Sequence, residues 1–365
     1  MSAILIISPE PWKGHFVSKH HYAVNLAARG YGVYFLNPPD ASLSGVRIEK
    51  TNHANLWEVS GPMVAKGLRF YPAAVRRRLE ARWLRALEKK AGRRFSAIWL
   101  FENSRFFDMK FAKNRLKIYH QVDLNQDFHV VDAASSADIC LANTDAILRK
   151  ILPYSDRTYK IHHGVSMPSA LLPLSEEQKG RFFENGINAV YVGNLEIPYL
   201  DTKLLGELVK AFPAIRFHFI GKYSEDGSLY KQCKDSENIR WWGAVKSEMI
   251  PSILLYCDIQ LLTYKVESDW EKEQMASPHK LMEYLSSGKV VVATYTDEYK
   301  DKPGLLEMVD RPGKYIEKFY DVVSNIDDYN SNTKQTVRRA FAQENTYPKQ
   351  LDRIITILNK HNLKF

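Results

Sequence analysis

Short apolar runs alternate with helical patterns along the first half of the chain. The runs that read as β-strands are Ala3–Ile7, Val33–Leu36, Ala97–Phe101, Lys117–His120, Ile139–Ala142 and Tyr159–His162. Apolar residues recur at helical spacing in the segments Val17–Arg29, Pro72–Ala91, Gln126–Ala137 and Asp145–Leu152. Runs rich in Ile, Val and Leu that are separated by helices indicate a parallel sheet covered on both faces.

The same pattern restarts in the second half. Its predicted strands are Ala189–Val192, Arg216–Ile220, Ile239–Trp242, Ile259–Tyr264 and Val290–Ala293. Its predicted helices are Thr202–Phe212, Ser247–Cys257, Pro278–Ser287 and a terminal helix, Tyr347–Lys360, with the apolar stripe Leu351, Ile354, Ile355 and Leu358. We predict an α/β chain of two Rossmann-like domains, residues 1–172 and 173–345, linked within Ser166–Glu184, and a C-terminal helix in residues 346–365.

Length and composition agree with a globular chain. The 365 residues are 45% hydrophobic and 25% charged, which argues against disorder and against a coiled coil. The three cysteines form no CxxC pair, so neither a disulfide scaffold nor a thiolate zinc site is expected. No apolar run reaches about 18 residues and no basic stretch precedes Ala3–Ile7, so we expect a cytoplasmic protein without a membrane span or signal peptide.

Positive charge is concentrated in the first half of the chain. Residues 1–172 hold 25 of the 51 Lys and Arg residues but only 14 of the 42 Asp and Glu residues. The segment Lys66–Arg94 has eleven cations, and a helical pattern begins at Arg76-Arg77-Arg78, with a face formed by Leu79, Trp83, Ala86, Leu87 and Lys90. Such a helix packs on the core, lies on an anionic membrane or binds nucleic acid. No nucleic-acid-binding motif accompanies it, so we expect no nucleic-acid partner.

Ligands of open α/β sheets bind at the carboxyl ends of the strands. After the first strand come Lys13, Gly14 and His15, without the GxGxxG pattern of dinucleotide-binding folds. In the second half, three strands end in glycine: Gly193 with Asn194, Gly221 with Lys222, and Gly243 before Val245. Glycine lets the backbone approach a ligand, and the lysine suits a phosphate.

The segment Ser277–Ala293 adds an anion site to this edge. Ser277 is placed to cap a helix and Pro278 to occupy its first position, with Lys280 in the first turn. A helix N-terminus binds anions, and the Glu283 carboxylate one turn on is suited to accept two ribose hydroxyl groups. The alternative is a surface helix with a capping serine. Together with the three glycines, the segment favours a phosphate-bearing ligand.

This organisation resembles the GT-B glycosyltransferases, specifically the bacterial family-4-like sugar transferases. Residues Ser277–Ala293 look like the SPxKLxEYLxxGKPVVAT signature of that group, and Phe219–Lys222 and Ile161–Val165 resemble two further family segments. The resemblance covers nearly the whole chain. It implies two Rossmann-like domains facing a central cleft, with a C-terminal helix that crosses back to the first domain.

By residue, the resemblance implies a nucleotide-diphosphate-sugar donor on the second domain. Glu283 would hold the ribose, and Gly193 and Asn194 would face the donor. The diphosphate would be held by Ser277, Pro278, His279, Lys222 and Lys280, and the base would lie near Gly243–Val245. Such enzymes usually need no metal, and the chain shows no DxD triplet, so we expect no metal and no cofactor beyond the donor substrate.

The resemblance places a glycan or lipid-linked acceptor on the first domain, near Lys13, Gly14 and His15. Asp123 follows a strand there and is a candidate general base, with His120 and His15 as rivals. The paired glutamates of many family members, spaced E-x7-E, are incomplete because Met275 stands eight positions before Glu283. The stereochemical outcome therefore stays open.

These observations predict a metal-independent glycosyltransferase of the hexosyltransferase type. It would act in bacterial surface polysaccharide synthesis, with residues 66–94 holding it peripherally at the inner membrane face. Two alternatives stay open at this stage. One is a nucleotide-sugar 2-epimerase of the same fold, and the other is a non-catalytic protein that binds nucleic acid or a membrane surface.

Overall fold

The computed structural model describes residues 2–14, 16–167, 171–176, 179–180, 183, 186–275 and 277–365, with only the backbone at 269, 270, 274 and 312. Internal contacts divide the chain into two compact units. The first unit comprises Met1–His163 and Tyr347–Phe365, and the second comprises Gly164–Thr346. None of the helices in the described part of the chain is long and apolar enough to cross a membrane.

The first unit contains an eight-stranded sheet. Its strands are β1 Ala3–Ile7, β2 Gly32–Leu36, β3 Arg47–Lys50, β4 Leu56–Ser60, β5 Phe95–Leu100, β6 Leu116–Gln121, β7 Ile139–Ala142 and β8 Thr158–Lys160. They lie in the order β3-β4-β2-β1-β5-β6-β7-β8. The pairs from β4 to β8 are parallel, and β3 pairs antiparallel with β4 at the edge.

Helices cover both faces of this sheet. They are α1 Ser18–Ala28, α2 Ala73–Ala91, α3 Val130–Ser136, α4 Asp145–Ile151 and the C-terminal helix Tyr347–Lys360, with single 3₁₀ turns at Leu68–Phe70 and Leu152–Tyr154. Helix α1 and the C-terminal helix share one core cluster with the sheet, whereas α2, α3 and α4 contribute to the other. Because both faces are covered, every residue of β1 and β2 is buried, which explains their continuous apolar runs.

The C-terminal helix packs on the first unit, as predicted. Leu351, Ile354 and Leu358 are buried in the same cluster as Trp99 of β5. Burial of each of the three aliphatic side chains contributes on the order of 1.5–3 kcal/mol. The ring of Tyr347 stacks on His21 of α1 with the centroids 4.3 Å apart. The last helix therefore belongs to the core of the unit that begins the chain.

The second unit contains a six-stranded parallel sheet. Its strands are β9 Asn188–Val192, β10 Arg216–Ile220, β11 Ile239–Gly243, β12 Ile259–Leu262, β13 Val290–Thr294 and β14 Glu307–Val309. Their order is β11-β10-β9-β12-β13-β14, so the chain builds outward in one direction from β9 and then in the other. The topological switch point, where such sheets bind ligands, lies between β9 and β12.

Eight helices surround that sheet in the described part of the second unit. They are α5 Thr202–Ala211, α6 Ser228–Cys233, α7 Ile250–Tyr256, α8 Asp269–Gln274, α9 Lys280–Ser287, α10 Tyr315–Ser324, α11 Ile326–Tyr329 and α12 Asn332–Glu344. Helix α9 ends at Ser287, as the sequence predicted, and Gly288 caps it with a left-handed φ of 82°. The two-unit α/β fold is confirmed.

Several elements escaped the sequence analysis. Strand β3 is mostly exposed and carries the polar sequence Arg-Ile-Glu-Lys, so it shows no apolar run. Strand β4, strand β14 and helices α10 to α12 were not predicted either. The change of unit also falls earlier than residue 172, because the backbone N–H of Val165 donates to the Asn345 carbonyl oxygen at 3.0 Å and its side chain is buried in the second unit.

Helix α2 buries a different face from the predicted one. Its buried residues are Arg76, Glu80, Leu84 and Leu87, whereas Ala86 is exposed. The expectation failed because a buried carboxylate, outside the helix, draws the first arginine inward. Arg76 Nη2 donates to Asp108 Oδ2 at 2.8 Å.

That carboxylate organises a small ion network. Arg77 Nε donates to Asp108 Oδ2 at 2.9 Å, so two arginines share one acid. Burial raises the pKa of Glu80 to about 7, and the neighbouring Arg76 opposes that rise. Two members of the predicted Arg76-Arg77-Arg78 cluster are therefore structural.

Three buried histidines are held in the neutral form. His20 Nδ1 accepts from the Val17 N–H at 3.2 Å, and Nε2 lies 3.0 Å from the Pro11 carbonyl oxygen, which requires the proton on Nε2. His218 Nδ1 accepts from the Trp242 indole in the same way. Burial lowers the pKa of His20, and lowers that of His120 and His218 to about 3.

These lowered pKa values predict sensitivity to acid. Unfolded histidines take up protons below a pKa of about 6.5, whereas the folded chain does not, so the free energy of unfolding should fall as the pH drops from there toward 3. In thermal unfolding experiments across this pH range, the free energy of unfolding should fall less steeply with decreasing pH in His120→Phe than in the wild type. His53→Phe, at a half-buried histidine of the same unit, is the control. If the free energy of unfolding depended on pH as steeply in His120→Phe as in the wild type, the assignment of a neutral, buried His120 would be contradicted.

Candidate active site

Lys280 lies at the switch point of the second sheet. It is the first residue of α9, and its Nζ is 3.9 Å from the ring centroid of Tyr191 in β9. The same Nζ is 5.1 Å from the ring centroid of Tyr264, which follows β12. The ammonium group thus contacts aromatic rings from the two strands on either side of the reversal, a favourable cation–π geometry.

Two of the three strand-ending glycines are required by the protein itself. A Cβ on Gly193 would lie 2.6 Å from Lys280 Nζ, and one on Gly221 would lie 1.9 Å from the Gly193 carbonyl oxygen. Both also have φ values near 140°, which side chains rarely allow. Gly243 also has a left-handed φ of 68°, which favours glycine, but a Cβ there would meet open space, so close packing within the protein does not require it.

Glu283 lies one turn after Lys280 on α9. Burial raises the pKa of Glu283 to about 7 and lowers that of Lys280 to about 7, while their mutual attraction opposes both shifts. In the described part of the chain, no hydrogen bond engages the Glu283 carboxylate. The helix start thus combines a cation for an anionic ligand with an acceptor that is free for hydroxyl groups.

The start of α9 differs in detail from the prediction. His279, at φ −53° and ψ −38°, is the residue before the helix, and Ser277 is not its cap. The Leu281 N–H donates to the Pro278 carbonyl oxygen at 3.0 Å, so a tighter turn precedes the first α-helical bond. Ser277, Pro278 and His279 are half-buried directly before Lys280 and stay candidates for the diphosphate.

The other predicted donor residues lie at the same sheet edge. Lys222 follows β10, its side chain is 75% exposed, and its Nζ is 3.5 Å from Glu196 Oε2. Asn194 follows β9, and its Oδ1 accepts from the Glu196 backbone N–H at 2.9 Å. Residues 243–245 begin at the last residue of β11 and continue into the segment that follows it. These residues share an edge because parallel strands end together.

Sequence reasoning missed the aromatic residues around Lys280. Tyr191 is next to last in β9, and Tyr264 follows β12. A tyrosine near the carboxyl end of each of these two strands was the sequence signal that could have indicated them. Glu271, one of the glutamates near Met275, has a structural role. Glu271 Oε2 accepts from the Ser268 N–H at 2.9 Å and closes the N-terminus of α8, so Glu271 does not replace the missing family glutamate.

In the first unit, Asp123 lies in the loop after β6. Its side chain is exposed, and Gln121 Nε2 donates to its carbonyl oxygen at 2.9 Å. Desolvation raises the pKa of the Asp123 carboxyl, an effect that Lys19 opposes and Glu10 strengthens. Lys19 itself is buried and lies 2.5 Å from Glu10 Oε2. This charged pair was not predicted.

The proposed catalytic role of His120 is wrong. The side chain is 1% exposed and packs against the rings of Trp99, Phe101 and Tyr22, with centroids 4.8 to 5.9 Å away. Burial lowers its pKa to about 3, so it does not take up a proton near neutral pH. It shares the inward face of β6 with Ile118, two positions earlier.

The predicted acceptor residues fall in the loop after β1. Lys13 is 76% exposed, and its Nζ lies 3.6 Å from Glu58 Oε2. A Cβ on Gly14 would make only ordinary contacts with Pro11, so the structure imposes no need for glycine there. His15 lies outside the described residues. The acceptor role of this loop stays a prediction.

Comparison with known proteins finds a family match in the second unit. Residues 186–325 match the family Glycosyl transferases group 1. The matched segment lies within the second unit. The whole chain also superposes on sucrose-phosphate synthase from Thermosynechococcus elongatus with a TM-score of 0.69 at 12% identity, over 99% of this chain and 100% of that one.

Two further proteins are similar to this chain. HepE of Anabaena, in complex with UDP and glucose, superposes with a TM-score of 0.68 at 14% identity, over 99% of this chain and 100% of that one. A Bacillus subtilis (strain 168) protein, named as the teichuronic acid biosynthesis glycosyltransferase TuaH, is 29% identical over 136 residues. That match spans 36% of this chain and 33% of the relative. The predicted GT-B glycosyltransferase fold is confirmed.

The lowered pKa of Lys280 generates a prediction for diphosphate binding. A diphosphate beside Nζ favours the charged amine, so UDP binding should take up protons at pH values above about 7, and its affinity should fall as the pH rises. Titration calorimetry in two buffers of different ionisation enthalpy measures the uptake. Lys280→Met should abolish it, whereas the exposed Lys265→Met should not. Equal uptake in all three proteins would contradict this role.

Proposed function

We propose that this protein transfers a sugar from a nucleotide-diphosphate-sugar donor to a glycan or lipid-linked acceptor. The observation that carries the proposal is the Lys280–Glu283 pair at the switch point of a group 1 glycosyltransferase domain. Parallel sheets bind nucleotides at this position, and the pair supplies one group for phosphate and one for ribose.

The donor roles follow from the chemistry of each group. Lys280 and Lys222, with the residues Ser277–His279, neutralise the diphosphate as it leaves, and Glu283 accepts the ribose hydroxyl hydrogens. Gly243–Val245 border the base. Because cations and backbone donors stabilise the leaving group, we propose a hexosyl transfer that needs no metal.

The first unit supplies the acceptor side of this proposal. Asp123 is the proposed general base, since it follows the carboxyl end of β6 and desolvation raises the pKa of its carboxyl, which makes it a better proton acceptor. Lys13 and Gly14, on the loop after β1, are proposed to contact the acceptor.

Nucleotide binding provides the first test. At 100 times its dissociation constant, a ligand stabilises the fold by about 2.7 kcal/mol. A thermal-shift panel of UDP, GDP, ADP, dTDP, CMP and NAD, with and without EDTA, should give a shift with one diphosphate that survives EDTA. Glu283→Ala should lose the shift, while Glu317→Ala, at an exposed glutamate of the same unit, should keep it.

Other outcomes count against the proposal. No shift with any nucleotide would contradict a donor site, and a shift abolished by EDTA would contradict metal independence. Consumption of the nucleotide sugar without any acceptor, with an epimeric sugar as product, would replace transfer with epimerisation. An unchanged transfer rate in Asp123→Asn would contradict the role of Asp123 as the general base.

We also propose that the protein works peripherally at the inner membrane face, in surface polysaccharide synthesis. Helix α2 presents an exposed cationic stripe, spaced at helical intervals, formed by Arg78, Arg82, Arg85 and Lys89. Just before the helix, Phe70 is 75% exposed and Tyr71 is 40% exposed. Cations beside exposed aromatic side chains suit an anionic lipid surface.

Vesicle binding tests the cationic stripe. Each cation near an anionic bilayer contributes about 1 kcal/mol, so replacing the four stripe residues with glutamine should weaken binding to phosphatidylglycerol vesicles at least about tenfold. The matched control replaces four exposed lysines of the second unit: Lys203, Lys231, Lys234 and Lys314. Cosedimentation measures both proteins. Equal binding of the two variants, or no binding by the wild type, would reject this surface.

A further inference from the structure

The first unit contains a cavity that none of the predicted site residues lines. Its volume is about 410 Å³, and it opens among the segments that follow β1, β2, β4 and β5. The walls are largely apolar and include Pro38, Leu68, Phe70 and Phe107. A cavity of this size and lining fits a small organic molecule or the end of a longer one.

Arg105 provides the polar group of this cavity. Its Nη1 donates to the Asn37 carbonyl oxygen at 2.8 Å, and its guanidinium lies over the ring of Phe106 at 5.1 Å. Within the described residues, its buried Nε and Nη2 atoms have no hydrogen-bond partner. An unpaired buried donor destabilises the empty protein, and the positive charge of this side chain attracts an anion to the cavity wall.

The other charged residues of the cavity are committed elsewhere or lie at its rim. Arg76 is paired with Asp108, and Arg69 is exposed over the ring of Phe70. The Glu102 carboxylate also lines the cavity, where its Oε1 accepts from the Ser104 N–H at 2.7 Å. Burial lowers the pKa of Arg105 to about 10, so this guanidinium is still charged at neutral pH.

We propose that this cavity binds an anionic amphiphile, with its oxyanion on Arg105 and its apolar part against Leu68 and Phe70. The positive charge of the guanidinium attracts a phosphate or a carboxylate to the cavity wall. A longer apolar chain would leave past the exposed Phe70 and Met63. The inference rests on the proposed function for one point, which is that this ligand is the acceptor.

Short amphiphiles test the cavity by titration calorimetry. Octyl phosphate and octanoate carry the two oxyanions, octyl glucoside carries none, and inorganic phosphate lacks the chain. We expect one oxyanion amphiphile to bind at least about tenfold more tightly than octyl glucoside and inorganic phosphate, since only it combines a negative charge for Arg105 with an apolar part for Leu68 and Phe70. The better of the two oxyanions identifies the head group. Equal affinity for octyl glucoside would overturn the proposal.

Two variants locate the binding. Arg105→Gln should lose at least about tenfold in affinity for the preferred amphiphile, whereas Arg157→Gln, at an exposed arginine of the same unit outside the cationic stripe, should lose none. Leu68→Trp fills the cavity with Arg105 intact and should also weaken binding. Wild-type affinity in Arg105→Gln would overturn the proposal.

The donor site serves as an independent reference. A UDP-induced thermal shift that persists in Arg105→Gln shows an intact fold and donor site. Arg105-dependent amphiphile binding without any UDP shift would uphold the cavity and reject the proposed transferase. A UDP shift without amphiphile binding would reject the cavity proposal and uphold the donor site of the proposed transferase.

Discussion

Parallel sheets covered by helices on both faces are the constraint on which this protein depends. Such sheets have no solvated face, so polar chemistry is confined to the edge where the strands end. In the second unit that edge holds Lys280 and Glu283. In the first it holds Asp123, the Lys19–Glu10 pair and Arg105. The candidate sites follow from the layering of the fold.

Charge at these edges is incompletely compensated by the protein. Burial pushes the pKa of Lys280 down and that of Glu283 up, each to about 7, so both groups are displaced toward their neutral forms. Arg105 shows the same displacement, and two of its buried nitrogens have no hydrogen-bond partner among the described residues. Groups of this kind raise the free energy of the empty site, and a complementary ligand lowers it. Perturbed ionisation is therefore consistent with binding at these positions.

Histidines and arginines elsewhere show the opposite arrangement. His20 and His218 have a donor and an acceptor matched to one neutral tautomer, and Arg76 is neutralised by Asp108. These interactions are made within the protein, so they stabilise the fold. Residue type does not show this difference in environment, since His120 and Asp123 lie three positions apart and the first is buried whereas the second is exposed.

The sequence by itself determined the two-unit α/β fold, most of its strands, the C-terminal helix and the Lys280–Glu283 helix. Apolar periodicity and glycine positions record burial and chain reversal, which are local properties that a linear pattern carries. Only the tertiary structure decided that His120 is a core residue, that Arg76 and Arg77 share a buried acid, and that Gly193 makes room for Lys280. Those outcomes depend on which distant residues pack together, and spacing along the chain does not encode such contacts.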